Sequence, residues 1–289
     1  MDLIRFNASC YSIPPPKVPL LPHRLVWSGA NYSYLTSSKS NSFRYFTRGR
    51  YALHEAYRLA GLREDSSLLA PAYHCVTMLD PALSLGADIL LYPLHQNLSP
   101  DLAELKARLQ SASKPVKAVL AAHFFGLVQD FSALRKLCDE FGIVLIEDCS
   151  HVMFTEDFRP SGAGLYGKFV TASPYKFFSC EDGGLLYALE PHLLAGTVLK
   201  SRGLWDELRG IKRMAEKAQL ATRLPASVYS APEQLEWPAE CFHGVDPVEI
   251  RLPYDKPSRH FSAEEINRSS LRCSRWLVRV SNIEELIFR

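Results

Sequence analysis

Three apolar runs in this 289-residue chain end in polar residues of kinds that do covalent chemistry. They are Ala121-Ala122-His123-Phe124-Phe125-Gly126, Ile146-Glu147-Asp148-Cys149-Ser150-His151, and Val170-Thr171-Ala172-Ser173-Pro174-Tyr175-Lys176, the last followed by Gly183-Gly184. Asp148 closes a run of apolar β-type residues, so its carboxylate emerges at the edge of a sheet. There it either holds a cationic group or serves as a turn or helix-cap residue. Lys176 sits among Tyr175, Phe177 and Phe178. An amine in apolar surroundings loses proton affinity and becomes a nucleophile suited to Schiff-base formation; the alternative is a surface lysine snorkelling over an aromatic edge. His151, three residues after Asp148, gains weight only if a ligand lies between them. The glycine pair allows a tight turn and close backbone approach.

These types and spacings meet the needs of pyridoxal phosphate chemistry. A lysine carries that cofactor as an imine. An aspartate keeps its pyridine nitrogen protonated, so that the ring accepts electrons. Gly49, just before a helix, offers backbone N–H groups to a phosphate.

The elements that must position these groups alternate as in an α/β fold. The pattern predicts helices over Tyr51–Ala60, Val76–Leu85 (despite Pro81), Leu102–Leu109 and Phe131–Phe141. It predicts strands at Ser67–Ala70, Asp88–Tyr92, Val116–Ala122 and Ile143–Ile146. Ser99-Pro100-Asp101 is a cap-like opening for the third helix. The strands are continuously apolar, as in a mostly parallel sheet covered on both faces, and such sheets place ligands at the carboxyl ends of their strands. Residues 1–42, with Pro14-Pro15-Pro16 and a Ser/Asn-rich stretch, read as an irregular arm. The cofactor domain is expected over 43–215, an irregular connection over 216–262, and one long helix over 263–289.

Composition excludes other classes. Hydrophobic residues make up 47% and charged residues 22%, with a net charge of +2. That is ordinary globular chemistry, not disorder, and bulk charge makes no case for nucleic acid. No apolar run reaches the ~18 residues of a membrane span, and MDLIRFNASC lacks a signal-peptide core. The seven cysteines form no C-x-x-C pair and do not cluster with histidines at ligand spacing. Free thiols in a reducing cytoplasm, and no metal site, are expected.

Taken together, the motifs resemble the DegT/StrS-type nucleotide-sugar aminotransferases of the fold-type I pyridoxal phosphate group. The matching pieces are Pro71-Ala72-Tyr73, His123-x-x-Gly126-x-x-x-Asp130, Leu145 through His151, and Ser173-Pro174-Tyr175-Lys176 with Gly183-Gly184; they run from about Gly49 to Tyr187. The resemblance implies a three-layer α/β/α large domain with a mostly parallel sheet. Lys176 stands at the Schiff-base lysine and Asp148 at the pyridinium-binding aspartate, the two catalytic positions. His151 stands close to the ring hydroxyl, Gly49 and Arg50 at the phosphate-binding helix start, and Thr171 at the phosphate-binding hydroxyl. His123 joins the cofactor-binding set, and among Tyr73, His74 and Cys75 the ring-stacking counterpart is taken to be His74. Arg50 departs from the family's hydroxyl residue, so charge and backbone N–H would hold the phosphate.

The resemblance further implies ping-pong transamination of a keto group on a nucleotide-linked sugar. Glutamate is the expected amino donor, in aminosugar or polysaccharide synthesis. Sugar dehydratases among the relatives carry His where Lys176 stands, which argues against that reaction. The expected assembly is a cytoplasmic homodimer, with the loop Lys200-Ser201-Arg202-Gly203 resembling one that reaches across. Family members are longer and finish in a small α/β domain, expected here to be largely missing. A truncated, non-catalytic remnant or binding protein on the same fold is the alternative.

Overall fold

The computed structural model describes residues 42–152, 162–178, 180–223 and 256–280. Strand β1 (Phe43–Phe46) leads into helix α1 (Gly49–Leu59). There follow β2 (Ser67–Pro71), α2 (Val76–Ser84), β3 (Asp88–Tyr92), α3 (Leu102–Ser111), β4 (Val116–Ala122), α4 (Ser132–Glu140), β5 (Val144–Asp148), β6 (Phe169–Ala172) and β7 (Gly184–Ala188). Helices α5 (Leu204–Arg223) and α6 (Arg272–Val280) complete the set.

All seven strands form one sheet in the order β1-β7-β6-β5-β4-β2-β3. From β6 through β3 the pairing is parallel, while β7 is antiparallel to both β6 and β1. Alternation along the strands supplies two faces. Ala118, Leu120, Ala122 and Ile146 pack under α1 and α2; Val119, Ala121 and Leu145 pack against Leu105 of α3 and Leu134 and Leu137 of α4. A third apolar cluster joins Val170, Leu185 and Tyr187 to Met214 of α5 and Leu277 of α6. The architecture is thus the expected α/β one, with helices on both faces of a mostly parallel sheet. Asp101 caps α3 as its sequence predicts, accepting from the N–H groups of Ala103 and Glu104, both at 3.1 Å.

The C-terminal expectation is corrected. Residues 263–289 do not form one helix: a short 3-10 turn at Ala263–Glu265 precedes α6, and 281–289 lie outside the described residues. The reason is visible in the backbone. The N–H groups of Ser269, Ser270 and Leu271 go to Lys200 O, Tyr45 O and the Asp182 carboxylate. Donors taken by tertiary partners cannot close helical turns. The stretch becomes a strap over α1, with Phe261 against the rings of Tyr51 and His54. Its other end is tied by Ser258, which donates N–H and hydroxyl to the buried Asp80 carboxylate at 2.8 and 2.7 Å. Helix α5 runs through residues 215 and 216, where the sequence suggested a change of organisation. The expected arm over 1–42 lies, apart from Ser42, outside the described residues.

Candidate active site

The parallel pairing sets the strand ends side by side. Ala122 pairs with Asp148 and Asp148 with Thr171, so the polar residues that follow β4, β5 and β6 converge on one edge of the sheet. A cavity of about 250 Å³ opens there. Gly49, Arg50, His74, His123, Asp148, His151 and Lys176 all line it, leaving Thr171 alone of the sequence-predicted site residues outside the lining.

Lys176 closes a 3-10 turn that begins at Pro174; its N–H donates to Ser173 O at 2.9 Å. Its ammonium makes no hydrogen bond among the described residues. Burial lowers its proton affinity, and the nearby Asp148 carboxylate opposes that shift only in part. Asp148 is 4% exposed. One carboxylate oxygen accepts the Ser150 N–H at 2.9 Å and the Thr171 hydroxyl at 3.3 Å. Thr171 is therefore committed to Asp148. The hydroxyls at the start of α1 are instead Ser173 and Ser150, 3.0 Å apart. A Cβ on Gly49 would strike the Ser173 hydroxyl, and a Cβ on Gly184 would fall 2.7 Å from the Gly49 nitrogen. Glycine at both positions keeps the helix start open and its N–H groups approachable. The Ser150–Ser173 pair escaped the sequence reading although Ser173 lies inside the lysine motif. A hydroxyl beside a proline was the available signal.

His151 is held neutral. Burial and then the Lys176 charge drop its pKa to about 4, against the pull of Asp148. Its Nδ1 accepts the Phe125 N–H at 3.5 Å, which leaves the proton on Nε2, and its ring stacks on Phe125. Phe125 reaches that position at φ +55°, unusual for a residue with a side chain. His74 donates Nδ1–H to Pro71 O at 2.9 Å, and its proton affinity is lowered by burial.

His123 belongs to a separate bonding chain. Its Nδ1 accepts the Gln129 N–H at 3.0 Å, so Nε2 carries the proton and donates it to Glu147 at 2.8 Å. Glu147, fully buried, also accepts the N–H groups of Gly164, Tyr166 (2.9 Å) and Gly167 (2.8 Å). The ligating atoms of His123, Glu147 and Cys149 lie within 4.8 Å of one another. Both ring nitrogens of His123 and both carboxylate oxygens of Glu147 are already used by these bonds, so this pair forms a hydrogen-bonded clasp beside Cys149. Arg202, in the loop expected to reach a partner, bonds within its own chain to Asp206 at 3.2 Å and Glu265 at 3.6 Å. Among the described residues no helix is long and apolar enough to cross a membrane.

Comparison with known proteins follows the same segment. The model of the DegT/DnrJ/EryC1/StrS aminotransferase family matches residues 45–217. A GDP-perosamine synthase of Vibrio cholerae is 28% identical over 143 residues, which cover 48% of this chain and 38% of that protein. The chain thus spans well under half the length of this curated relative. Among solved structures, a DegT DnrJ EryC1 StrS aminotransferase from Brucella abortus is similar over 52% of this chain and 42% of its own, at 17% identity and TM-score 0.47. NtdA from Bacillus subtilis with bound cofactor PMP is similar over 52% of this chain and 34% of its own, at 17% identity and TM-score 0.46.

Proposed function

Because the chain belongs to the DegT/DnrJ/EryC1/StrS aminotransferase family, we propose that it binds pyridoxal 5'-phosphate at Lys176 and moves an amino group from an amino acid, glutamate, to a keto group on a nucleotide-linked sugar. The observation that carries this reading is the meeting of Lys176, Asp148 and the open α1 start in one cavity. The residues fit the cofactor. A partly buried amine of lowered proton affinity faces a buried carboxylate, and a glycine-floored helix start stands beside two hydroxyls.

When bound, the cofactor supplies a ring that accepts electrons from the carbon bearing the amino group. Gly49, Arg50, Ser150 and Ser173 would hold its phosphate through backbone N–H, charge and hydroxyl. Asp148 would hold a proton at the pyridine nitrogen, its geometry fixed by Ser150 and Thr171. Lys176 would take and return a proton at the substrate carbon as general base and acid; burial lowers the proton affinity of its amine, the direction a base role needs. Neutral His151 would offer Nε2–H to the ring hydroxyl. A homodimer, with the sites near the subunit interface, is part of the same reading and is supported by family membership alone.

The test is an absorption spectrum of the purified chain with added pyridoxal phosphate, wild type beside Lys176→Ala. A band near roughly 410–430 nm that depends on Lys176, and that glutamate converts, supports the reading. A folded protein with no lysine-dependent band points to a non-catalytic member on the same fold.

A further inference from the structure

Arg48 is the residue before α1, with extended backbone (φ −145°, ψ 158°) and a side chain that caps nothing in its own helix. It lines the Lys176 cavity beside Gly49, Tyr175 and Lys176. Among the described residues its guanidinium makes no ion pair. It makes two other contacts instead. One Nη donates to Glu181 O at 2.7 Å, and Cζ lies 4.8 Å from the centre of the Tyr175 ring. Tyr175 stands just before Lys176, and Glu181 closes the stretch after it. One side chain thus grips both ends of the segment that carries the lysine.

The base of this grip is fixed by backbone contacts. Gly183 donates N–H to Thr47 O at 2.9 Å, and a Cβ on Gly184 would run into the Arg48 carbonyl. That carbonyl accepts the Tyr51 N–H at 3.1 Å, which opens α1. The lysine turn bonds only backwards: Lys176 donates to Ser173 O, and Phe177 and Phe178 donate to Pro174 O. None of these bonds ties the turn to α1. A cation over a ring face and a charge-assisted bond to a carbonyl both strengthen as water is excluded, and Arg48 is half-buried. A planar fork can serve both partners at once, where a point charge serves one.

We propose that Arg48 is a positioning residue for Lys176. It clamps the Tyr175 ring and the Glu181 carbonyl to the start of α1, and so sets the amine at a fixed place relative to that helix start. The inference rests on the function proposed above, which puts the cofactor's phosphate at α1 and its attachment at Lys176. It adds what keeps the two anchor points in register. A rigid ligand held at both ends tolerates little movement of one anchor against the other.

The test begins with the chain alone. Hydrogen exchange should show the Lys176–Phe178 amides opening about tenfold faster in Arg48→Met and in Tyr175→Leu, with the β4 amides unchanged. The two variants remove one shared contact, so Tyr175→Leu should add little to Arg48→Met. Tyr175→Phe keeps the ring face and should restore protection. On the cofactor-loaded protein, pyridoxal phosphate affinity read from the Lys176-dependent band should fall about tenfold in both variants and recover in Tyr175→Phe. Tyr175 carries no charge, so its share of that loss is not lost attraction for phosphate. Wild-type exchange at Lys176–Phe178, equal acceleration in β4, or effects that multiply in full would overturn the clamp. Faster exchange with unchanged affinity would make Arg48 a structural tie and overturn the positioning role. If the wild-type chain shows no Lys176-dependent band, the cofactor reading fails, and the clamp is judged by the three exchange criteria.

Discussion

Glu147 and Asp148 are neighbours on β5 whose carboxylates serve opposite faces of the sheet. Alternation sends Glu147 to the clasp with His123 and the 164–167 turn, and Asp148 to the cavity with Lys176. One strand end thus carries a structural carboxylate and one proposed to act on the cofactor, told apart only by their partners.

Asp148→Asn tests the functional one. The amide is isosteric and can still accept from Ser150 and Thr171, so the fold should survive, with stability changed by less than ~1 kcal/mol. Turnover of the amino-transfer reaction should fall by about 10²-fold or more, since the charge that holds the ring proton is gone. Single-turnover absorbance with glutamate reads this out, and wild-type rates would refute the assignment.

Glu147 should matter for stability and its pH dependence. Burial alone would raise its pKa, but the His123 hydrogen bond, together with the Tyr166 and Gly167 N–H groups, brings it below the ordinary 4.5. A carboxyl depressed in the folded state contributes stability that is complete above 4.5 and is lost as pH falls below it through the folded value. Glu147→Ala should cost roughly 3–5 kcal/mol at pH 7, because it strands four donors, those of His123 and Gly164 buried. Glu147→Gln should flatten the acid limb of a urea-unfolding series; an unchanged limb would contradict this.

How much of this was readable from sequence depended on where each signal lay. Strands β3 and β4 match their apolar runs end to end, and α2 forms across Pro81 as its periodicity predicted. Strand β1 was not legible: Phe43–Phe46 carries no turn signals and is a strand only because β7 pairs with it from far along the chain. Helix α5 hid behind apolar residues on its outer side, Leu204, Trp205, Leu208 and Ile211, all exposed. The candidate site was more legible than the fold at its edges, because strand-end chemistry is local while edge pairing is not. What sequence could not supply was the second partner of each group: Thr171 on Asp148 and not on α1, or Ser173 on Ser150.

His54 offers a test free of catalysis. Burial lowers its pKa to about 4, and its Nδ1 is buried without a partner among the described residues. The unfolded histidine takes up a proton near 6.5 that the folded one refuses, so stability present above 6.5 is lost as pH falls toward 4. His151 adds to the same window. His54→Leu should raise stability by about 1 kcal/mol near pH 5, relieving the stranded nitrogen, and should reduce the slope between pH 6.5 and 4. Thermal melts at half-unit steps would show it; a steeper slope would count against it.

Gly49→Ala sets helix propensity against the cradle. Alanine favours a helix interior over glycine by about 1 kcal/mol, but at this first helical residue its methyl meets the buried Ser173 hydroxyl, so the two effects should offset and leave the apoprotein folded. The added methyl must push the Ser173 hydroxyl off Ser150. Pyridoxal phosphate affinity, followed by absorbance titration, should drop at least tenfold. Equal affinity would remove Gly49 from the phosphate site.

The antiparallel edge has a bearing on how the chain comes to be made. Phe46 pairs with Gly184, and Gly184 also packs against the first residues of α1. On a ribosome, β2 through β5 can assemble as each parallel unit emerges, but β1 and the glycine-floored helix start must wait for β7. The proposed cofactor cradle is consequently among the last features of the sheet to close. A nascent chain halted before β7 has no finished pocket to fill, and the cofactor becomes a late passenger of synthesis instead of a template for it.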